Sequence, residues 1–200
     1  VNGVILMWRT AELRWWWRGR EVSGLQDWLM QGAAPKRETR TDLYLADPNL
    51  TDISLKRRGR EHSEVKVLVG LPDISLPPSM AAQAELWLKS EAARLPLTDE
   101  GTVAVGKERR RRILRFADGG WHPVDSEEEA ENGAALEYAL VEAHGERWTS
   151  LCLEAFGEED RLPALLQGVV TLLGPWPGDV PAPAISGGYP FWLGEIARGH

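Results

Sequence analysis

The stretch at residues 54–70, SLKRRGREHSEVKVLVG, constrains the fold most, because its charged side chains keep a two-residue period. Alternate side chains of a strand share a face. Lys56 and Arg58 therefore point one way, as do Glu64 and Lys66 after the turn, while Val65, Val67 and Val69 point the other way and are expected to be buried under helices. The charged side faces either bulk water, as on an open antiparallel sheet, or the interior of a barrel. An eight-stranded barrel is wide enough inside to hold one small ligand, and inward and outward residues alternate along its strands.

The same parity recurs along the chain. Residues 4–17 form an apolar and aromatic run in which Thr10, Glu12, Arg14 and Trp16 share one strand face, with Arg18, Gly19 and Arg20 closing it. Ser23 is placed to cap a short helix containing Leu25, Trp28 and Leu29. Residues 40–46 alternate again, with Arg40, Asp42 and Tyr44 on one side. Prolines 72, 77 and 78 interrupt regular structure. Residues 79–95, rich in alanine and leucine and without internal Gly or Pro, read as a helix.

Residues 102–116, TVAVGKERRRRILRF, read as a strand with Val105, Lys107, Arg109 and Arg111 on one face and Arg110 and Arg112 on the other. Residues 125–132 are an acidic solvated loop or a short helical turn. Residues 136–142 and 148–156 read as a hairpin around His144 and Gly145. Residues 162–173 carry a full amphipathic helical repeat. Residues 174–200 read as an irregular tail packed on the body of a single domain spanning 1–200. The strand parity admits an α+β fold, mainly an antiparallel eight-stranded barrel with flanking helices, or an open antiparallel sheet with the charged face in water.

The barrel reading collects Arg14, Lys56, Arg58, Lys66, Lys107 and Arg109 inside, together with Glu12, Glu64, Glu137 and Glu154. Like charges two apart on a strand sit about 7 Å from each other. Their repulsion is roughly 0.6 kcal/mol in water and about 2.4 kcal/mol at an effective dielectric of 20. A basic excess in a bore therefore calls for a multiply charged anion, and a phosphate compound suits Arg and Lys.

A chain of 200 residues with 43% apolar and 26% charged residues has material for a sizeable core. Its net charge of -7 argues against a surface devoted to nucleic acid or membrane, although the run at Arg109 to Arg112 offers a local basic face for nucleic acid or a partner. Cys152 is the only cysteine, so no intrachain disulfide forms, and a reducing cytoplasm is the expected location. The opening VNGVILMW lacks a basic leader region, and nowhere do 18 apolar residues follow one another, so neither export nor a membrane span is expected. His62, His122, His144 and His200 are scattered and receive no role.

Taken together, TDLYLADP, SLKRRG with EVKV, VAVGKERR and the hairpin ending WTSLCLEAFG resemble the CYTH proteins, or triphosphate tunnel metalloenzymes, over most of the chain. That family's hallmark ExExK strand corresponds here to Thr10, Glu12 and Arg14, which lacks the first acid and has arginine for lysine. The resemblance implies a closed antiparallel barrel binding a triphosphate through Arg14, Lys56, Arg58, Lys66, Lys107 and Arg109. It implies Mg²⁺ or Mn²⁺ held by Glu12, Glu137 and Glu154, with Glu12, Lys66 and Glu154 as the catalytic set. The implied activity is hydrolysis of inorganic, nucleoside or organic triphosphate by a monomer or homodimer. Thr10 raises the alternative of a module that binds the phosphate compound but has lost efficient chemistry.

Overall fold

The computed structural model describes residues 6–19, 21–59, 62–91, the backbone of Ala92, Leu97, and residues 101–199. The parts of the expectations that fall on Val4, Ile5, Arg20, residues 93–95 and His200 lie outside them. Chain order runs β1 (Met7–Arg18), α1 (Leu25–Met30), β2 (Lys36–Leu45), β3 (Ile53–Arg58), β4 (His62–Gly70), β5 (Glu85–Ala92), β6 (Thr102–Ala117), β7 (Gly120–Val124), β8 (Gly133–Ala143), β9 (Glu146–Phe156), α2 (Leu162–Leu173), β10 (Ile185–Ser186) and α3 (Tyr189–Ala197).

Eight strands pair antiparallel in the ring order β1-β5-β4-β3-β2-β6-β8-β9, and β9 returns to β1 over nine register positions from Thr10–Phe156 to Arg18–Trp148. The ring is a closed barrel with β7 and β10 attached outside it. This is the α+β barrel with flanking helices, one of the two forms that the parity of charges leaves open and the one that the family resemblance implies. Closure leaves the eight strands without open edges.

Strand β1 is buried on both faces from Thr10 to Trp17, which explains its unusual aromatic content. Its outward residues Leu13, Trp15 and Trp17 join Leu136, Tyr138, Leu151 and Leu153 of β8 and β9 beneath Leu162, Leu166, Val169 and Val170 of α2. The main apolar core therefore lies outside the barrel, between one wall and the helices. The opposite wall has no such cover. Val67 and Val69 face outward and are 36% and 42% exposed, contrary to the expectation that helices bury them. α1 and α2 pack against β1, β8 and β9 instead.

Three further expectations are corrected. The described part of residues 79–95 is not a helix; Pro78–Met80 forms one 3-10 turn and Glu85–Ala92 is β5, filling the place between β1 and β4 without which the ring would stay open. Tertiary pairing outweighs the helix preference of Ala and Leu there. The tail is not irregular: Pro190 sits in the first turn of α3, where a missing N–H costs nothing. Gly24, not Ser23, caps α1. β6 also extends into a hairpin with β7 across Asp118 and Gly119, both at positive φ, a turn the sequence reading did not separate out.

The tail closes one end of the barrel. β10 continues along β1 where β5 stops, with Gly187 N–H donating to the Arg14 carbonyl at 3.0 Å and Ala184 N–H to the Trp16 carbonyl at 2.8 Å. α3 then drops Tyr189 and Trp192 into the barrel end, where Trp192 stacks on Trp16 at 4.1 Å, Tyr189 stacks on Tyr44 at 4.9 Å, and Trp148 meets Trp192 edge-on. This aromatic floor is held by the Trp16 indole N–H, which donates to the Gly187 carbonyl at 2.8 Å. Gly187 has φ +137°, and an added Cβ would lie 2.9 Å from the Phe191 ring. Gly187→Ala is expected to destabilise the fold by about 1–3 kcal/mol, lowering Tm in calorimetry by roughly 3–10 °C.

Candidate functional site

Inside the ring, above that floor, lies a cavity of about 310 Å³ lined almost wholly by polar atoms. The strands β1, β5, β4, β3, β2 and β6, consecutive around the ring, each turn at least one cation into it, and β8 and β9 contribute Glu137 and Glu154. The lining holds nine Lys or Arg side chains and seven Glu side chains, and buried Asp42, bonded to Lys107, leaves a cationic surplus of one. Glu12, Arg14, Lys56, Arg58, Lys66, Glu64, Lys107, Arg109, Glu137 and Glu154 all reach this one space, so parity along the strands located them together.

The interior is built from interlocked ion pairs. Arg14 donates from Nε to Glu12 at 2.8 Å and from Nη1 to Glu137 at 3.3 Å and Ser150 at 3.0 Å. Arg109 donates to the other Glu137 oxygen from Nε at 2.6 Å and to Glu38 from Nη1 at 2.8 Å. Lys56 pairs with Glu64 at 2.5 Å, Lys66 with Glu12 at 3.5 Å, and Lys89 with Glu154. Deeper in, the Lys107 ammonium donates to Asp42 at 3.0 Å and to the Tyr44 hydroxyl at 2.6 Å, and lies 4.0 Å from the centre of the Tyr189 ring. Arg58, nearly half exposed, marks the mouth.

Desolvation decides how firmly each charge is held. Burial disfavours the ionised form of Glu12, yet Arg14, Lys66 and Lys89 outweigh it and hold the carboxyl well below its ordinary value. Arg109 and Arg14 do the same for Glu137, and Lys56 and Lys66 for Glu64. The lysines fare worse. Burial pushes Lys107 and Lys89 well below the usual range and Lys56 down to about 8, although each has a carboxylate beside it. Lys66 alone among these four is raised, because Glu12 and Glu64 together overcome its burial. For Lys56, Lys89 and Lys107 the loss of hydration outweighs the carboxylates beside them.

Several contributors escaped the sequence reading. Lys89 and Glu91 were hidden by the helical reading of residues 79–95, although Glu85, Trp87, Lys89 and Glu91 alternate with Leu86, Leu88 and Ser90. Arg40, Tyr44 and Arg111 lie on strand faces that the sequence predicts, but it assigns them no role in the cavity, and Glu38 extends the Arg40 face. Tyr189 arrives from the tail, and no local pattern announces it. Of the arginine run, Arg109 and Arg111 line the cavity while Arg112 points outward to Gln31.

Glu12 and Glu154 stand opposite each other in the β1–β9 register, and their oxygens lie with the Cys152 sulfur within 4.8 Å of one another. Burial pushes the Cys152 thiol up, so it keeps its proton and is a poor ligand for a hard cation. Two carboxylates facing each other in a polar cavity fit the oxygen preference of Mg²⁺ or Mn²⁺. Glu137 is not part of that group; its oxygens serve Arg14 and Arg109. Fold and site together define a closed antiparallel barrel with a charged interior cavity. No protein-family model and no curated protein matches the sequence.

Glu85 stands opposite Glu12 in the β1–β5 register. It accepts from the Gly188 N–H at 3.2 Å and the Trp87 indole N–H at 3.0 Å, tying the floor to the wall. Burial and the neighbouring Glu12 push its carboxyl up to about 7 from an ordinary 4.5. The folded chain thus holds this proton more tightly than the unfolded one. The stability it contributes is full below about pH 4.5 and is lost as the pH rises toward about 7. Denaturant titrations from pH 4 to 8 are expected to show a descent of about 3 kcal/mol in the unmodified chain that Glu85→Gln lacks. Glu137→Gln, which strips charge from a carboxylate shared by two buried arginines, is expected to cost about 3–5 kcal/mol in the same measurement at pH 7.

Proposed function

We propose that the barrel is a metal-dependent phosphohydrolase that takes inorganic triphosphate, or a nucleoside or organic triphosphate, into its charged interior. The observation that carries this reading is the convergence of cations from six neighbouring strands on one enclosed cavity that also holds a facing carboxylate pair. Arg14 and Arg109 offer planar forks suited to bidentate contact with phosphate oxygens, and Lys66, Lys89 and Lys107 add compact charges. The aromatic floor limits how far the phosphate chain enters and keeps bulk water from the inner end.

Glu12 and Glu154 would hold Mg²⁺ or Mn²⁺, which when bound supplies charge neutralisation on phosphate oxygens and a more acidic water. The chain's own part begins with partner exchange. Phosphate oxygens take over Lys66 and Lys89, whose present partners are the carboxylates Glu12 and Glu154. Glu154, the more exposed of the two, accepts the proton of the water that attacks the terminal phosphorus. Lys66 and Arg14 neutralise the charge that gathers on the transferring group and the departing bridging oxygen.

A second reading has its own support. Position 10 carries a threonine whose hydroxyl is buried and has no hydrogen-bond partner among the described residues, where a further inward acid would strengthen metal binding. On that reading the barrel binds the phosphate compound and turns it over poorly.

Phosphate release from tripolyphosphate and ATP, with Mg²⁺ or Mn²⁺, separates the two. The hydrolase reading expects metal-dependent release that Lys66→Ala lowers by about 10²–10³-fold. Calorimetric binding without release, and release gained in Thr10→Glu, would support the binding module. If neither compound binds, both readings fall.

A further inference from the structure

Of the ten tryptophans, eight meet another aromatic ring: Trp15, Trp16, Trp17, Trp28, Trp121, Trp148, Trp176 and Trp192. Trp87 is buried with its N–H held by Glu85. Trp8 differs from all of them. It is 36% exposed, and among the described residues no ring or cation lies over it. Yet it lines the charged cavity, because position 8 has the inward parity of Glu12 and Arg14 on β1. This half-exposed indole lines a cavity whose surface is mostly polar, and among the described residues no aromatic ring packs on it.

Resting on the phosphate-binding reading above, we propose that Trp8 is a specificity-determining residue. It stacks on a planar aromatic ring carried by the ligand, so the preferred ligand is an organic triphosphate bearing such a ring rather than inorganic triphosphate. Trp8 precedes Arg14 by six residues on β1. That separation is about 20 Å along a strand, or roughly 15 Å along the axis of a barrel with the usual tilt. A triphosphate alone does not bridge it; a triphosphate extended by a sugar and a base does. Lys89 lies directly across from Trp8 in the β1–β5 register, and it is in place to hold the phosphate nearest the ring. Aromatic stacking tolerates any ring with a π face and adds to the electrostatic hold on the phosphates without competing with it.

The test is calorimetric titration of the full chain with three probes: β,γ-methylene-ATP, methyl triphosphate, which matches its charge but has no ring, and tripolyphosphate. Trp8→Ala is expected to weaken β,γ-methylene-ATP by about five- to a hundredfold and to leave the other two probes unchanged. Trp8→Phe is expected to recover most of the loss, and Lys66→Ala to weaken all three. The inference is overturned if β,γ-methylene-ATP binds the unmodified chain no better than methyl triphosphate, or if Trp8→Ala affects the three probes equally or not at all. Those outcomes leave the phosphate site standing. Failure of all three probes to bind the unmodified chain removes the phosphate site, and this inference with it.

Discussion

Charge inside a closed ring of strands has to be neutralised locally, and the rest of this structure follows from that requirement. An ion moved into a protein interior loses several kcal/mol of hydration, which is regained only where an opposite charge and hydrogen bonds stand close by. The barrel meets this by distributing carboxylates among its cations: Glu137 between Arg14 and Arg109, Glu12 between Arg14 and Lys66, Asp42 beside Lys107. All of these pairs except Arg14–Glu12 join different strands, so they also help fix the register of the wall that carries them.

That arrangement separates apolar packing from the charged interior in space. Apolar burial lies outside the ring, where α2 covers β1, β8 and β9, and at the floor, where Trp16, Trp148 and Trp192 meet. With those two clusters anchoring the fold, the interior is left polar. The wall formed by β3 and β4 carries Lys56, Glu64 and Lys66 on its inner face and half-exposed valines on its outer one. It is held by its neighbours in the ring and by its ion pairs more than by a core of its own.

What could be read from the sequence was whatever depends on parity within one strand. Glu12 and Arg14, Lys56 and Arg58, and Lys107 and Arg109 are each two apart, so each pair had to share a face, and a barrel was the closed form that let distant pairs meet. β5 was lost because Ala and Leu favour helix in isolation, and only the gap between β1 and β4 makes an extended strand the better choice. Tyr189 and the floor were lost for a different reason. Their position depends on backbone bonds from Gly187 and Ala184 to β1, contacts across more than 160 residues that leave no local period. The near balance of cations and carboxylates was also hidden, because Glu38, Asp42 and Glu91 only count once every strand's inward face is known.

The resident carboxylates bear on which ligands the cavity can take under the proposed function. A single monovalent anion that displaces Glu154 from Lys89, or Glu12 from Lys66, gains one ion pair and leaves a carboxylate desolvated without its partner, so the exchange is unfavourable. A polyanion arriving with a divalent cation changes both sides at once, since the cation takes the carboxylates and the phosphates take the lysines. Lys89 and Lys107, which burial drives toward the neutral form, then become fully charged against a denser negative partner. The built-in pairs thereby disfavour lone simple anions and favour a ligand that brings several negative charges and a metal together.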